Sequence, residues 1–443
     1  MEKVFLLGTV FRHAKKSDVL NSLLELARLA ETAGGVVAGS GIQSLPSPVP
    51  GTFIGKGKIE ELRLKALNKE FDTLIFDDEL RPAQQKNLAE IIPAKVLDRT
   101  RLILDIFAKR ARTREGILQV ELAQLSYMLP RMTERYGRFE QQVGGIGTRG
   151  PGERKLEVEA RHIRDRMAHL KKQIELVKMH REVARERRHS IPLPIVTIVG
   201  YTNAGKSTLL NALVRLCGGE PAEPIYADDK LFATLDPTTR RIKLPSGRWA
   251  LFTDTVGFIK KLPHHLVAAF RSTLEETLNA DLLVHLIDSG DENRYENART
   301  VMEILGTMET ERKLDNRVIA VYNKIDTVAS AEKATITNRH KRFFRNTDVR
   351  IENNEPIFIS STKGAGIGKL LKYIDDKLSE QMIETKVHLN FRNMKLLPSL
   401  YHLGKVESID HTSTGADLLI KLEKSHLSKL RKLLKESKAE LPD

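Results

Sequence analysis

The chain has 443 residues and a mass of 50.0 kDa, which is enough for about three domains of ordinary size. Hydrophobic residues make up 41% of it and charged residues 29%, a composition that excludes a disordered protein, and its single cysteine, Cys217, excludes a disulfide framework or a multi-cysteine metal site. The net charge of +14 points to a polyanionic partner such as nucleic acid.

Residues 1–100 predict a small α/β domain with parallel strands. A short apolar run at 4–10 is followed by apolar residues at helical spacing over 17–32. A buried strand is then predicted at 73–76, before an acidic loop, and helical spacing resumes over 82–91. This alternation of short strands and helices is typical of parallel α/β folds.

Residues 101–190 predict two long amphipathic helices that form an antiparallel hairpin around a glycine-rich tip without regular structure, at 144–152. Residues 109–190 carry nine of the fourteen net positive charges. A solvated helical face explains this charge equally well, but five glycines exceed what a turn needs and favour close approach to nucleic acid. The residues expected to contact RNA are Gly144, Gly145, Gly147, Arg149, Gly150 and Arg154.

Residues 191–383 predict a P-loop nucleotide-binding domain, and residues 384–443 a small C-terminal α/β domain. An apolar strand, the pattern Gly-x-x-x-x-Gly-Lys-Ser and a helix follow one another, as a phosphate-binding loop requires. We expect Lys206 to reach the β- and γ-phosphates and the Ser207 hydroxyl to ligate Mg²⁺. The loop residues expected to bind nucleotide are Gly200, Tyr201, Thr202, Asn203, Ala204, Gly205, Lys206, Ser207 and Thr208.

Three further motifs at predicted strand ends indicate that the nucleotide is GTP. In the motif Asp254, Thr255, Val256, Gly257, the aspartate would hold Mg²⁺ through water and the glycine N–H would sense the γ-phosphate. In the motif Asn323, Lys324, Ile325, Asp326, the last carboxylate would accept hydrogen bonds from N1–H and the 2-amino group of guanine, which adenine lacks. Backbone N–H groups of Ser360, Ser361 and Thr362 would meet the guanine O6.

The chain resembles the HflX family of ribosome-associated GTPases, within the translation-factor-related P-loop GTPases. The segments that carry the resemblance are residues 53–58, 77–85, 98–100, 144–154 (GGIGTRGPGER), 232–240 and 254–258. It implies that Thr234 binds Mg²⁺ and senses the γ-phosphate, with Thr238 and Thr239 as open alternatives, and that Lys206, Thr234 and Gly257 serve catalysis. Phe258 stands where Ras-type GTPases have glutamine, which implies slow intrinsic hydrolysis and stimulation by a partner.

The resemblance further implies a GTPase that binds the large ribosomal subunit and its RNA, dissociates or rescues ribosomes under stress in its GTP state, and hydrolyses GTP with ribosome stimulation. Two alternatives stay open: an ATP-dependent RNA-remodelling enzyme that uses residues 53–58, and a scaffold or assembly factor for ribosomal subunits. Because no apolar run could span a bilayer and no signal or transit peptide is recognisable, we expect a cytoplasmic monomer, with peripheral membrane association left open.

Overall fold

The computed structural model describes residues 1–12, 14–136, 151–188, 193–217, 231–232, 237–261, 280–307, 317–347, 349–380, 382–423, 430–431 and 433–434. Among the described helices, none combines the length and the hydropathy that crossing a bilayer requires.

The N-terminal unit is built on a four-stranded parallel sheet with the order β2-β1-β3-β4, which confirms the predicted α/β class. Its elements are β1 (Lys3–Val10), α1 (Lys16–Ala33), β2 (Val36–Ser44), α2 (Lys56–Leu67), β3 (Thr73–Phe76), α3 (Pro82–Ile91), β4 (Lys95–Asp98) and α4 (Arg99–Arg110). Apolar residues of α1 and α4, such as Leu26 and Ile106, share one core with β1 and β3. This packing therefore continues past residue 100.

A two-helix arm follows, formed by α5 (Arg114–Tyr136) and α6 (Pro151–Arg188). Leu118 packs with Leu170 and Ile174, and the Arg166 Nε donates to Glu121 Oε1 at 2.7 Å, so the two helices run antiparallel. The predicted antiparallel hairpin of two long helices is therefore confirmed, but its predicted start at residue 101 was wrong, because α4 ends at Arg110 and belongs to the preceding core.

The tip of the arm is only partly described. Gly144, Gly145, Gly147, Arg149 and Gly150 lie outside the described residues, whereas Arg154 lies in the first part of α6. Pro151 begins that helix, so Gly152 is helical and not part of an irregular tip as predicted. Proline suits the first turn of a helix, because a backbone N–H at that position would have no acceptor within the helix and proline has none to satisfy.

The nucleotide-binding domain is a six-stranded sheet with the order β10-β9-β8-β5-β7-β6, parallel except for β6. Its elements are β5 (Ile195–Gly200), α7 (Lys206–Cys217), β6 (Thr238–Lys243), β7 (Trp249–Asp254), β8 (Leu282–Asp288), α8 (Arg294–Thr307), β9 (Val318–Asn323), α9 (Ser330–Phe344), β10 (Ile357–Phe358) and α10 (Ile367–Glu380). The carboxyl ends of parallel strands meet at one sheet edge, which brings the predicted motifs together.

The C-terminal unit is a three-stranded antiparallel sheet with the order β11-β13-β12. Its elements are β11 (Met382–Asn390), α11 (Leu397–Leu403), β12 (Lys405–His411) and β13 (Gly415–Glu423). Val387, Leu400 and Leu418 lie in its core. The apolar run at 418–422 lies in β13.

Candidate nucleotide-binding site

The phosphate-binding loop joins β5 to α7, and two of its glycines are required by close contacts. A Cβ on Gly200 would lie 2.4 Å from the Leu286 carbonyl oxygen. A Cβ on Gly205, whose φ is +91°, would lie 2.4 Å from the Asn323 Nδ2. Any larger residue would push the loop away from β8 and β9, so the glycine spacing fixes the shape of the cradle.

Lys206 is buried in this cradle. Its Nζ donates to the carbonyls of Gly200 at 3.2 Å and Tyr201 at 2.9 Å. Burial lowers the pKa of Lys206 to about 8, against the opposing effect of the Asp254 carboxylate. A phosphate at the cradle would favour the charged ammonium, as an anion beside a buried amine does.

Ser207 and Asp254 form the predicted magnesium position. The Ser207 hydroxyl donates to Asp254 Oδ2 at 2.6 Å, and Asp254 is fully buried at the end of β7. A hydroxyl and a carboxylate are hard oxygen ligands of the kind Mg²⁺ prefers, directly or through water, so this pair fits the ion. Thr234 lies outside the described residues, and of its alternatives Thr239 has its Oγ1 3.0 Å from that of Thr253 within the β6–β7 pair.

The segment after β7 lies directly against the phosphate loop. A Cβ on Gly257 would be 2.8 Å from the Cα of Thr202, and the Thr202 N–H donates to the Phe258 carbonyl at 2.8 Å. The Phe258 side chain is only 3% exposed and packs in the core with Val199 and Leu283. A buried hydrocarbon ring has no group that could orient a water molecule.

The predicted guanine-recognition residues lie at the ends of β9 and β10. The Asn323 Nδ2 donates to the Ala204 carbonyl at 2.8 Å, and its Oδ1 accepts from the Ser361 hydroxyl at 2.9 Å, so Asn323 braces the phosphate loop against the loop after β10. A hydrogen bond from Ser360 lowers the pKa of Asp326. The ionised carboxylate is the form that accepts two hydrogen bonds from guanine.

The three backbone N–H groups expected at the guanine O6 are not equivalent. The Ser360 N–H donates to the Ala365 carbonyl at 2.9 Å, and the Ser361 N–H donates to Asn323 Oδ1 at 3.0 Å. Both have acceptors inside the protein, which leaves Thr362 as the one of the three whose N–H has no acceptor among the described residues.

A polar network that the sequence analysis missed joins this site to the N-terminal unit. The Tyr201 hydroxyl donates to Glu25 Oε1 at 2.5 Å and accepts from the Lys260 N–H at 2.8 Å. Glu25 also pairs with Arg99. A hint in the sequence is that Glu25 interrupts the apolar face of α1, beside Leu26.

The same network reaches the segment after Gly257 through a second ion pair. The Lys261 Nζ lies 2.5 Å from Asp77 Oδ2 and 2.6 Å from Asp78 Oδ1, and Asp77 also pairs with Arg99 at 2.8 Å. Apolar contacts reinforce it, since the rings of Phe107 and Phe232 meet edge to face at 4.6 Å. The loop and the segment after β7 are therefore both tied to the N-terminal unit.

Four family models match successive parts of the chain. They are described as GTP-binding GTPase N-terminal (residues 20–108), GTP-binding GTPase Middle Region (110–188), 50S ribosome-binding GTPase (195–324) and HflX C-terminal domain (348–443).

Curated relatives and solved structures are similar to most of the chain. A GTPase HflX of Caldanaerobacter subterraneus subsp. tengcongensis is 45% identical over 397 residues, which cover 89% of this chain and 86% of the relative. A GTPase HflX of Escherichia coli is 38% identical over 390 residues, covering 88% and 86%. The structure of a GTP-binding protein of Sulfolobus solfataricus with GDP has a TM-score of 0.43 at 24% identity, covering 86% and 99%.

Proposed function

The chain belongs to the HflX family of GTPases and hydrolyses GTP, and from this premise we propose that it is a monomeric, Mg²⁺-dependent GTPase of the large ribosomal subunit. In its GTP state it binds the subunit through the two-helix arm and dissociates or rescues ribosomes. Contact with the subunit stimulates hydrolysis, and GDP formation releases the protein.

One observation supports this coupling above others: the nucleotide site and the base of the arm share one packed core. Val120 and Tyr127 of α5 lie in the same cluster as Phe232 and Val256, which flank the γ-phosphate position. The Tyr127 hydroxyl also donates to Asp98 Oδ1 at 2.8 Å. A rearrangement of the segments beside the γ-phosphate would therefore shift the packing at the base of the arm.

The charge of the arm suits ribosomal RNA. The α6 sequence holds twelve Lys and Arg residues against seven Asp and Glu residues. Such a helix neutralises phosphates, so binding should weaken steeply as salt rises. Aromatic residues make up only 5% of the chain, so contacts with RNA shape and backbone outweigh base stacking.

Each residue of the site has a separate role in GTP hydrolysis. Lys206 and the backbone of the phosphate loop hold the phosphates, the Gly257 N–H senses the γ-phosphate, and Asp326 selects guanine. Mg²⁺ held by Ser207, by Asp254 through water and by Thr234 would neutralise charge on the β- and γ-phosphates.

The structure gives no support to the ATP alternative at residues 53–58. Phe53 and Ile54 are buried core residues, and the Lys58 Nζ pairs with Glu61 at 2.9 Å. The segment is the turn that leads into α2, where the Gly55 N–H donates to Gln43 Oε1 at 3.1 Å. ATP turnover that survives Lys206→Ala would nevertheless revive that alternative.

The proposed function predicts that deleting residues 144–152 abolishes stimulation by large subunits while GTP binding is retained. Without the tip, the protein would lose its RNA contact, whereas nucleotide binding should persist because the tip lies far in sequence from the nucleotide motifs. GTP hydrolysis should be measured with and without purified large subunits, beside fluorescent-nucleotide binding.

Two comparisons complete this experiment. Lys206→Ala should lose nucleotide binding, and ribosome binding of the intact protein should be tighter with a GTP analogue than with GDP. Full stimulation of the deleted variant, or equal ribosome binding in both nucleotide states, would overturn the proposal.

A further inference from the structure

A small cavity of 20 Å³ lies between the phosphate loop, β8 and α8. Thr202 of the loop, His285 of β8 and Asn297 of α8 are among the residues that line it. The side chains of Thr202 and His285 are almost completely buried, with 7% and 1% of their surfaces exposed. The cavity is therefore a polar space inside the fold, beside the loop that would hold the phosphates.

Thr202 and His285 each carry a buried polar atom without a partner. The Thr202 Oγ1 and the His285 Nδ1 form no hydrogen bond with any residue that the structure describes. The Asn297 Nδ2, in contrast, donates to Asp291 Oδ2 at 2.8 Å. Because a buried polar atom without a partner is costly, native proteins satisfy such atoms with protein groups or with ordered water. The two residues that carry unpartnered atoms line the same cavity.

We propose that one water molecule occupies this cavity and bridges the Thr202 hydroxyl and the His285 ring, which makes His285 a positioning residue of the phosphate loop. A cavity needs roughly 10–15 Å³ to hold a water molecule, and this one has 20 Å³. A buried water also needs at least two polar partners, and these two side chains provide them.

The His285 ring is suited to this role because it is neutral. Burial, together with the charge of Lys206, lowers the pKa of His285 to about 3. One nitrogen of a neutral imidazole accepts a hydrogen bond and the other donates one, so the Nδ1 forms one hydrogen bond with the water. The ring is also held in place, since it meets the ring of Phe344 nearly at right angles, with 6.3 Å between the centroids.

The bridge would act on nucleotide binding through Thr202. The Thr202 N–H donates to the Phe258 carbonyl at 2.8 Å, and a Cβ on Gly257 would lie 2.8 Å from the Thr202 Cα. The position of Thr202 therefore sets the position of the Gly257 N–H, and the inference rests on the proposed contact of that N–H with the γ-phosphate. Because GDP has no γ-phosphate, loss of the bridge should weaken the binding of GTP more than the binding of GDP.

The test compares the full chain with Thr202→Val, which replaces the hydroxyl by a methyl group, and with His285→Phe, which replaces the polar ring by an apolar one. Each change should lower the affinity for GTP relative to that for GDP by about 5- to 20-fold, as the loss of one buried hydrogen bond does. Thr202→Ser keeps the hydroxyl and should recover most of this ratio. The double variant should lose no more than either single variant, because both changes remove the same bridge.

The matched control is His340→Phe, at a second buried histidine of the same domain. His340 lies in α9, with its Nε2 3.0 Å from the Asn353 carbonyl oxygen. Its replacement should lower the unfolding temperature but leave the ratio of GTP to GDP affinity unchanged. Gly257→Ala tests the underlying assignment separately: if it also left the ratio unchanged, the proposed role of Gly257 would have failed, and not only the bridge.

A high-resolution crystal structure gives a readout that does not depend on nucleotide binding. The parent should show one water within hydrogen-bond distance of both the Thr202 Oγ1 and the His285 Nδ1, and His285→Phe should lack it. A dry cavity in the parent would overturn the water site. An equal loss of affinity for GTP and GDP in His285→Phe, or losses that multiply in the double variant, would overturn the positioning role.

Discussion

Replacing Asp326 by asparagine is expected to lower the affinity for GTP by about 100- to 1000-fold and to create affinity for xanthosine triphosphate. The carboxylate accepts from N1–H and the 2-amino group of guanine, whereas an asparagine would place its own NH₂ donor against those donors. Xanthine carries a carbonyl oxygen at the position of the amino group, and that oxygen accepts from the asparagine. Competition of each triphosphate with a fluorescent GTP analogue measures the exchange.

The matched control for this change is Asp376→Asn, at an exposed aspartate of α10. Both variants remove one negative charge from the nucleotide-binding domain, so an effect of net charge alone would be shared. If Asp326→Asn kept the GTP preference of the parent, guanine would be selected by other groups, and the role assigned to the loop after β9 would be wrong.

The phosphate loop could be predicted from the sequence because its determinants are local. Eight consecutive residues supply the glycines, Lys206 and Ser207, and the flanking strand and helix are visible from their apolar pattern. The Asp326 motif is local in the same way. The parallel sheet then needs only to bring strand ends to one edge for the two motifs to meet.

Contacts across long stretches of chain could not be predicted in this way. Glu25 and Tyr201 are 176 residues apart, and Lys261 reaches Asp77 across 184 residues. The local sequence around either partner does not identify the other, since a charged residue on an apolar helix face could pair with many neighbours.

The helix boundaries of the arm show a related limit. Apolar spacing continues from α4 into α5 and therefore predicts a single helix, although the helical structure is interrupted between Arg110 and Arg114. The break places α4 in the N-terminal core and α5 in the arm. Tertiary packing overrides periodicity at such a point.

Arg99 is the centre of the network between the two units. Its side chain is almost completely buried. The guanidinium pairs with Asp77 at 2.8 Å and with Glu25, and it lies 3.3 Å from the Ser22 hydroxyl. Burial alone would raise the pKa of Asp77, but the charges of Arg99 and Lys261 outweigh it and hold that pKa below its usual value. The carboxylate is thus ionised in a buried place because of its partners.

We expect Arg99→Ala to lower the free energy of unfolding of the N-terminal unit by about 3–5 kcal/mol, because it leaves two carboxylates near the core without their main cation. Urea unfolding followed by far-ultraviolet circular dichroism should show an earlier first transition. Fluorescence of Trp249, the single tryptophan, reports the nucleotide-binding domain separately.

The exposed pair of Arg63 and Glu60, at 3.0 Å, provides the contrast, since both ions stay in water. Arg63→Ala should leave both transitions where they are. The buried network also joins Tyr201 to Lys261 through Glu25 and Asp77, so Arg99→Ala should loosen the hold of α1 on the phosphate loop as well. If the two arginine variants unfolded alike, the network would not hold the units together.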